Sequence, residues 1–170
     1  MNRVVRDWLQ RNTFDALDWP LSRVLDLKGE TSVAVVVPAR NEVGTIGHIV
    51  RRVATELPGL VDELVVMDSL SNDGTAEAAA VAGARVHAVA RVRDDLGVHA
   101  GKGEALWKSL FVTRSEILVF LDGDLTDWGT HFVTGLVGPL LARPELALVR
   151  GFYDRISTGS APTSGGGRVT

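Results

Sequence analysis

The chain has 170 residues, 45% of them hydrophobic, which suffices for one domain burying roughly 70% of its unfolded surface. A net charge of −3, with 18 Lys and Arg scattered along the chain, gives no basic footprint for nucleic acid, and the lack of cysteine excludes disulfides and thiolate metal sites. The N-terminus MNRVVRDWLQRN lacks a signal-peptide core and no apolar run approaches a membrane span, so a cytoplasmic location is expected.

In chain order, residues 1–31 form an N-terminal extension in which Trp8, Leu9, Phe14, Leu17 and Trp19 suggest a short amphipathic helix packed on the body. Val33 to Val37 is a continuous apolar run, as a strand covered on both faces requires. Ile46, Ile49, Val50, Val53 and Leu57 then recur at helical spacing, with Arg51 and Arg52 on the other face. Glu63 to Met67 predicts a second strand, Thr75 to Ala82 an Ala-rich helix stopped by Gly83, and Ala84 to Val89 a third strand. Next come a helix over Glu104 to Val112 and a strand over Ile117 to Leu121. A helix through Phe132, Val133, Leu136, Val137, Leu140 and Leu141 follows, kinked near Gly138-Pro139, and a last strand spans Leu146 to Arg150.

This alternation predicts an α/β fold: a doubly wound, mostly parallel sheet flanked by helices, occupying residues 32–156. Residues 157–170 (STGSAPTSGGGRVT) have turn and linker composition. Ligands of such sheets gather at the carboxyl ends of the strands, where PARNE, DSLSNDGT and DGD each follow a strand. These loops should share one rim.

In the stretch ILVFLDGDL, a buried strand runs into Asp122 and Asp124. Alternate side chains of a strand point the same way, so the two carboxylates converge if extended geometry persists past Leu121, and a hard cation such as Mg²⁺ or Mn²⁺ would relieve their repulsion. Gly123 leaves the backbone open to a ligand; an ordinary acidic turn is the plain alternative. Pro38 stops ladder pairing, and the polar residues behind it, Glu42 included, can hydrogen-bond a base or ribose, or merely cap the next helix. Asp68 and Ser69 sit level with that loop, while Ser71 to Thr75 make a good helix start with or without a ligand. Gly101-Lys102-Gly103 offers backbone N–H groups and one cation to a diphosphate, without Walker A spacing. The four histidines share no metal-ligand spacing, and Trp107 and Trp128 read as packing residues.

The order PARNE, DSLSNDGT, GKGEALW, FLDGDL, GGGRVT resembles the nucleotide-sugar-dependent glycosyltransferases of the A-type fold and, within them, the glucosyl-3-phosphoglycerate synthases of actinobacteria. The resemblance implies a Rossmann-like nucleotide-diphospho-sugar transferase fold and an enzyme moving glucose from UDP-glucose to the 2-hydroxyl of 3-phosphoglycerate, with retention and with Mg²⁺ or Mn²⁺ as cofactor. Carried onto this chain, it places Pro38, Ala39, Arg40 and Glu42 at the uridine with Ser69 nearby, Lys102 at the nucleotide, and Asp122 and Gly123 at the ribose and diphosphate. Asp124 becomes the metal ligand, Asp122 and Asp124 the catalytic pair, and Gly167, Arg168 and Thr170 the acceptor's phosphate and carboxylate site. Family members continue well past GGGRVT, so the chain is expected to be a truncated form, a fragment of a gene or a degenerate relative, weakly active or inactive alone, with a homodimer possible in the full-length form. Arg40 and Gly123 stand where close relatives often carry other residues, which bears on donor preference. The competing readings are another A-type enzyme, such as a polyprenyl-phosphate sugar transferase, and a non-catalytic nucleotide-sugar-binding fragment.

Overall fold

The computed structural model describes residues 2–151. Strands β1 (Val33–Ala39), β2 (Glu63–Asp68), β3 (Arg85–Ala88) and β4 (Ile117–Phe120) form one parallel sheet in the order β3-β2-β1-β4. Two helices precede it in the chain, α1 (Arg3–Asn12) and α2 (Leu21–Lys28). Crossovers run through α3 (Ile46–Glu56), α4 (Thr75–Val81) and α5 (Lys102–Ser109), and α6 (His131–Ala142) follows β4. The chain thus winds outward from β1 through β2 and β3, then returns to add β4 on the other side of β1. The reversal puts a switch point between β1 and β4, the place where such sheets open a crevice.

Every residue of β1 is buried, as its unbroken apolar run requires. Val33, Val35, Val37 and Ala39 enter the larger core with Ile46, Ile49, Val50 and Val53 of α3. Val36 points to the opposite face, into a smaller core with Val65, Met67 and Ala105 of α5. Pairing with β4 ends at Val36 opposite Phe120, whereas pairing with β2 runs on through Pro38 to Ala39 opposite Asp68. Pro38 therefore does not end the strand, contrary to the expectation from sequence: the ladder on the β2 side carries the chain past it.

Three other expectations are corrected. The N-terminal helix α1 buries none of its residues, and Trp8 is 56% exposed. Of the five residues expected to pack, Trp19 is buried and Phe14 packs partly buried against the core, and beside them α2 packs through Leu21, Val24, Leu25 and Lys28 at helical spacing, with Val24 fully buried. Gly138 and Gly135, one turn apart on α6, make room for this segment: a Cβ on Gly138 would lie 2.3 Å from the Trp19 ring, and one on Gly135 would lie 2.8 Å from the Ala16 methyl. Residues 146–150 form no strand, since no strand lies beside them to pair with among the described residues, and Leu148 is exposed. Helix α5 begins at Lys102 rather than Glu104 and ends at Ser109, whereas α6 spans His131–Ala142 with Pro139 inside it, in agreement with the expected helix.

Glu63 ties the start of β2 to the approach of β4. Its carboxylate accepts from the Arg114 N–H at 2.8 Å, the Ser115 hydroxyl at 2.7 Å and the Arg85 guanidinium at 2.6 Å. Burial pushes its pKa up, but these donors outweigh burial and hold it at about 2, against an ordinary 4.5. A depressed folded-state pKa stabilises the protein above the unfolded value, and that stabilisation is lost as pH falls from 4.5 through about 2. The Glu63→Gln variant should therefore lose less stability than the wild type over that window in urea titrations; parallel acid limbs would show that Glu63 does not titrate in this way.

Candidate functional site

Two loops at the carboxyl ends of β1 and β2 lock each other through side-chain-to-backbone hydrogen bonds. The Asn41 N–H donates to the Ser71 hydroxyl at 2.9 Å, and the Asn72 N–H donates back to the Asn41 side-chain carbonyl at 3.0 Å. The Glu42 N–H donates to the hydroxyl of fully buried Thr75 at 2.8 Å, and that hydroxyl donates to Asp73 at 2.5 Å. Asp73 also accepts from the N–H groups of Thr75 (3.0 Å) and Val43 (3.2 Å), and the Thr75 hydroxyl leads the causes that lower its pKa. Asn41 and Leu70 take left-handed backbone angles, φ 57° and 61°. Asparagine tolerates that region; Leu70 carries strain that the interlock must hold.

The Asp122-Gly123-Asp124 loop is fixed from the other side of the switch point. A Cβ on Gly123 would lie 2.9 Å from the Pro38 carbonyl oxygen, so glycine here answers to β1 rather than only to a ligand. The Thr45 hydroxyl donates to the Gly123 carbonyl at 2.6 Å, and Arg52 of α3 stacks over Trp128 and bonds its carbonyl. Extended geometry stops at Phe120, and residues 123–124 form a turn, so the two carboxylates are not a strand pair aimed at one point. Asp122 forms an ion pair with Lys102 at the start of α5, whereas Asp124 is exposed.

These loops enclose a cleft of about 250 Å³ lined by Pro38, Ala39, Arg40, Glu42, Ser69, Gly101, Lys102, Asp122, Gly123 and Asp124. Every sequence-predicted donor and metal residue lies there; Gly101 was not singled out for the site by itself. The candidate acceptor residues Gly167, Arg168 and Thr170 lie outside the described residues. Three carboxylates against two cations leave the cleft net acidic. Glu42 registers this: burial, then the charges of Asp124 and Asp73, push its pKa up. No group of three or more His, Asp or Glu side chains could hold a metal alone among the described residues. An ion of this kind needs only one or two carboxylates when phosphate oxygens complete its shell.

A larger hollow of about 410 Å³ lies at the amino end of β2, lined in part by Asp62, Glu63 and Arg85. Its charges are already matched: Asp62 by Lys28 and the Val33 N–H, Glu63 by Arg85 and its other donors. In the switch-point cleft, by contrast, Glu42 and Asp124 have no ion-pair partner among the described residues and are open to a ligand.

A parallel sheet with a cleft at its switch point is a Rossmann-like ligand-binding fold, and solved nucleotide-sugar transferases superpose on it. The chain belongs to glycosyl transferase family 2, whose model matches residues 34–163. It is 40% identical over 168 residues to the glucosyl-3-phosphoglycerate synthase of Mycolicibacterium paratuberculosis, a match covering 96% of this chain and 51% of that protein. Mannosyl-3-phosphoglycerate synthase from Rubrobacter xylanophilus superposes with a TM-score of 0.78 at 32% identity, over 82% of this chain and 46% of that one. Glucosyl-3-phosphoglycerate synthase from Mycobacterium tuberculosis, in complex with Mn²⁺, UDP-glucose and phosphoglyceric acid, superposes with a TM-score of 0.69 at 42% identity, over 74% and 44%. The chain spans about half the length of the curated relatives it matches.

Sequence reasoning did not reach Thr45, Asp73 or Thr75 as parts of the site, because their partners lie on distant loops. The Thr75→Val variant keeps shape but leaves the Glu42 N–H without its acceptor, so it should lose about 1–3 kcal/mol of stability. Hydrogen exchange at the Glu42 amide should speed up, while Thr75→Ser stays near wild type. Unchanged protection of that amide in the valine variant would show that the loops do not depend on this hydroxyl.

Proposed function

We propose that this chain is the nucleotide-sugar-binding portion of a glucosyl-3-phosphoglycerate synthase, an enzyme transferring glucose from UDP-glucose to the 2-hydroxyl of 3-phosphoglycerate. The observation that carries this reading is the meeting of all nine predicted donor and metal residues in one acidic cleft at the switch point. The relatives named above support the substrate pair. Pro38, Ala39, Arg40, Glu42 and Ser69 hold the uridine, Lys102 contacts the diphosphate, and Asp122 and Gly123 face the ribose and diphosphate. Gly167, Arg168 and Thr170 hold the acceptor. A cytoplasmic location suits a soluble sugar nucleotide, and no described helix is long and apolar enough to cross a membrane.

A divalent cation, Mn²⁺ or Mg²⁺, fits the residues present. Asp122 already has a cationic partner in Lys102, while the exposed Asp124 sits beside Glu42 with no ion-pair partner among the described residues. A diphosphate adds negative charge to a cleft already net acidic, so a cation held by Asp124 balances the complex. When bound, it offsets the charge that builds on the departing UDP. Lys102 exchanges its Asp122 contact for the diphosphate and shares that task.

In the transfer, the bond between the anomeric carbon and the UDP oxygen breaks and an oxocarbenium-like sugar forms. The acceptor 2-hydroxyl oxygen bonds to that carbon from the face UDP leaves, its proton passes to a diphosphate oxygen, and configuration is retained. The Rubrobacter structure makes a mannosyl donor the second reading.

Calorimetric titration of UDP-glucose with and without Mn²⁺ or Mg²⁺, followed by transfer assays to 3-phosphoglycerate with glucosyl and mannosyl nucleotides, tests these readings. Binding should require the metal, and Asp124→Asn should weaken metal-dependent binding roughly tenfold or more, the worth of one lost charge-assisted contact. Metal-independent binding, or an Asp124→Asn variant that binds like the wild type, would remove Asp124 from the metal site.

A further inference from the structure

Lys108 has no exposed side-chain surface, yet it does not line the cleft. Its ammonium contacts the Gly97 carbonyl at 2.8 Å, the Val89 carbonyl at 3.2 Å and the Glu104 carboxylate at 3.1 Å. These three acceptors match its three N–H donors, which is the condition for tolerating a buried cation. Glu104, with 7% of its side chain exposed, also accepts the backbone N–H of His99 at 3.4 Å. Two side chains one turn apart on α5 therefore grip residues 89, 97 and 99 of the connection between β3 and α5.

That connection has few other anchors. Only Val89 and Val92 are buried between residues 89 and 101, and residues 93–101 are all exposed. Its last residue, Gly101, lines the cleft at φ 119°, a backbone angle that L side chains rarely adopt, and the next residue is Lys102. The connection must thus arrive at the cleft in one particular geometry while having almost no core of its own. A methionine would fill the space of Lys108 without the cost of burying charge; what it cannot do is hold two carbonyls and a carboxylate at once.

We propose that Lys108 is a positioning residue for the nucleotide site: with Glu104 it clamps the 89–101 connection onto α5 and so fixes Gly101 and Lys102 at the cleft. This deepens the reading above and rests on Lys102 meeting the diphosphate. The clamp acts on how the nucleotide is held, through the loop that delivers its cation, and touches neither substrate.

UDP titrations in the presence of Mn²⁺ on the wild type and the Lys102→Ala, Lys108→Met, Lys108→Arg and Glu104→Gln variants, with thermal midpoints and hydrogen exchange, test the proposal. Lys108→Met should bind UDP roughly tenfold more weakly, as expected for one misplaced charge contact. Its 89–101 amides should exchange faster while those of β1 do not, and Lys108→Arg should recover most of the affinity. A Lys108→Met protein that loses only thermal stability and binds UDP like the wild type overturns the proposal. If Lys108→Met does not fold, Glu104→Gln decides: several-fold weaker binding supports the clamp and wild-type affinity overturns it. Failure of the underlying reading shows separately, as a wild type that does not bind UDP or a Lys102→Ala variant with undiminished affinity.

Discussion

The departure of β4 from β1 is the constraint on which the site depends. Pairing between them ends at Val36 opposite Phe120, but β1 continues to Ala39 against β2. Past that point the Asp122-Gly123-Asp124 turn is pressed against the end of β1, where the Pro38 carbonyl leaves no room for a side chain at position 123. The contact brings the acidic loop beside the β1 loop, and it follows from topology: a chain that adds its fourth strand on the far side of its first must bring those two carboxyl ends together. The Thr45 hydroxyl on the Gly123 carbonyl then secures what the strand ladder has ceased to hold.

Charge is distributed across this junction unevenly. Lys102 answers Asp122, and Lys108 answers Glu104 one turn further along the same helix, so α5 carries one cation into the cleft and one into the interior. Glu42 and Asp124 form the uncompensated side, visible in the upward push that burial and Asp124 give Glu42. A ligand that brings phosphate to Lys102 and a divalent ion to Asp124 satisfies both sides together. Either alone leaves an imbalance, which is why nucleotide and metal are read here as one binding event.

The sheet was legible from sequence because burial on both faces writes an unambiguous pattern. VAVVV, ELVVM and ILVFL each became a strand, and the loops that follow the first, second and fourth strands form one rim. The errors fall where that pattern is weak. Trp8 and Leu9 were read as packed because they are apolar, whereas packing went to Trp19 and α2, and the fit of Trp19 and Ala16 depends on two glycines of α6 more than a hundred residues away. LALVR has strand composition, but composition supplies no partner for a ladder. The convergence of Asp122 and Asp124 assumed that extended geometry continues, and a turn at Gly123 ends it. Thr45 and Lys108 escaped notice, and Thr75 was read only as a helix start, for a common reason: each is unremarkable in its own segment and acquires its role from a partner on another loop.

The exposed part of the rim is ordered by hydrogen bonds rather than by a core. Residues such as Asn41, Asp73 and Lys102 are exposed, and hydrophobic burial cannot set their positions. What sets them is a series of bonds from side chains to backbone: Ser71 and Thr75 accept from the β1 loop, Thr45 donates to the acidic turn, and Lys108 donates to the carbonyls ahead of α5. Such bonds fix direction as well as distance, whereas apolar contacts tolerate sliding. Thr75 and Lys108 are fully buried, so their bonds are sheltered from water while the groups they position stay open to it. A site that must meet a flexible, highly charged ligand with pre-placed groups needs this arrangement, since ordering the loops at the moment of binding would cost affinity.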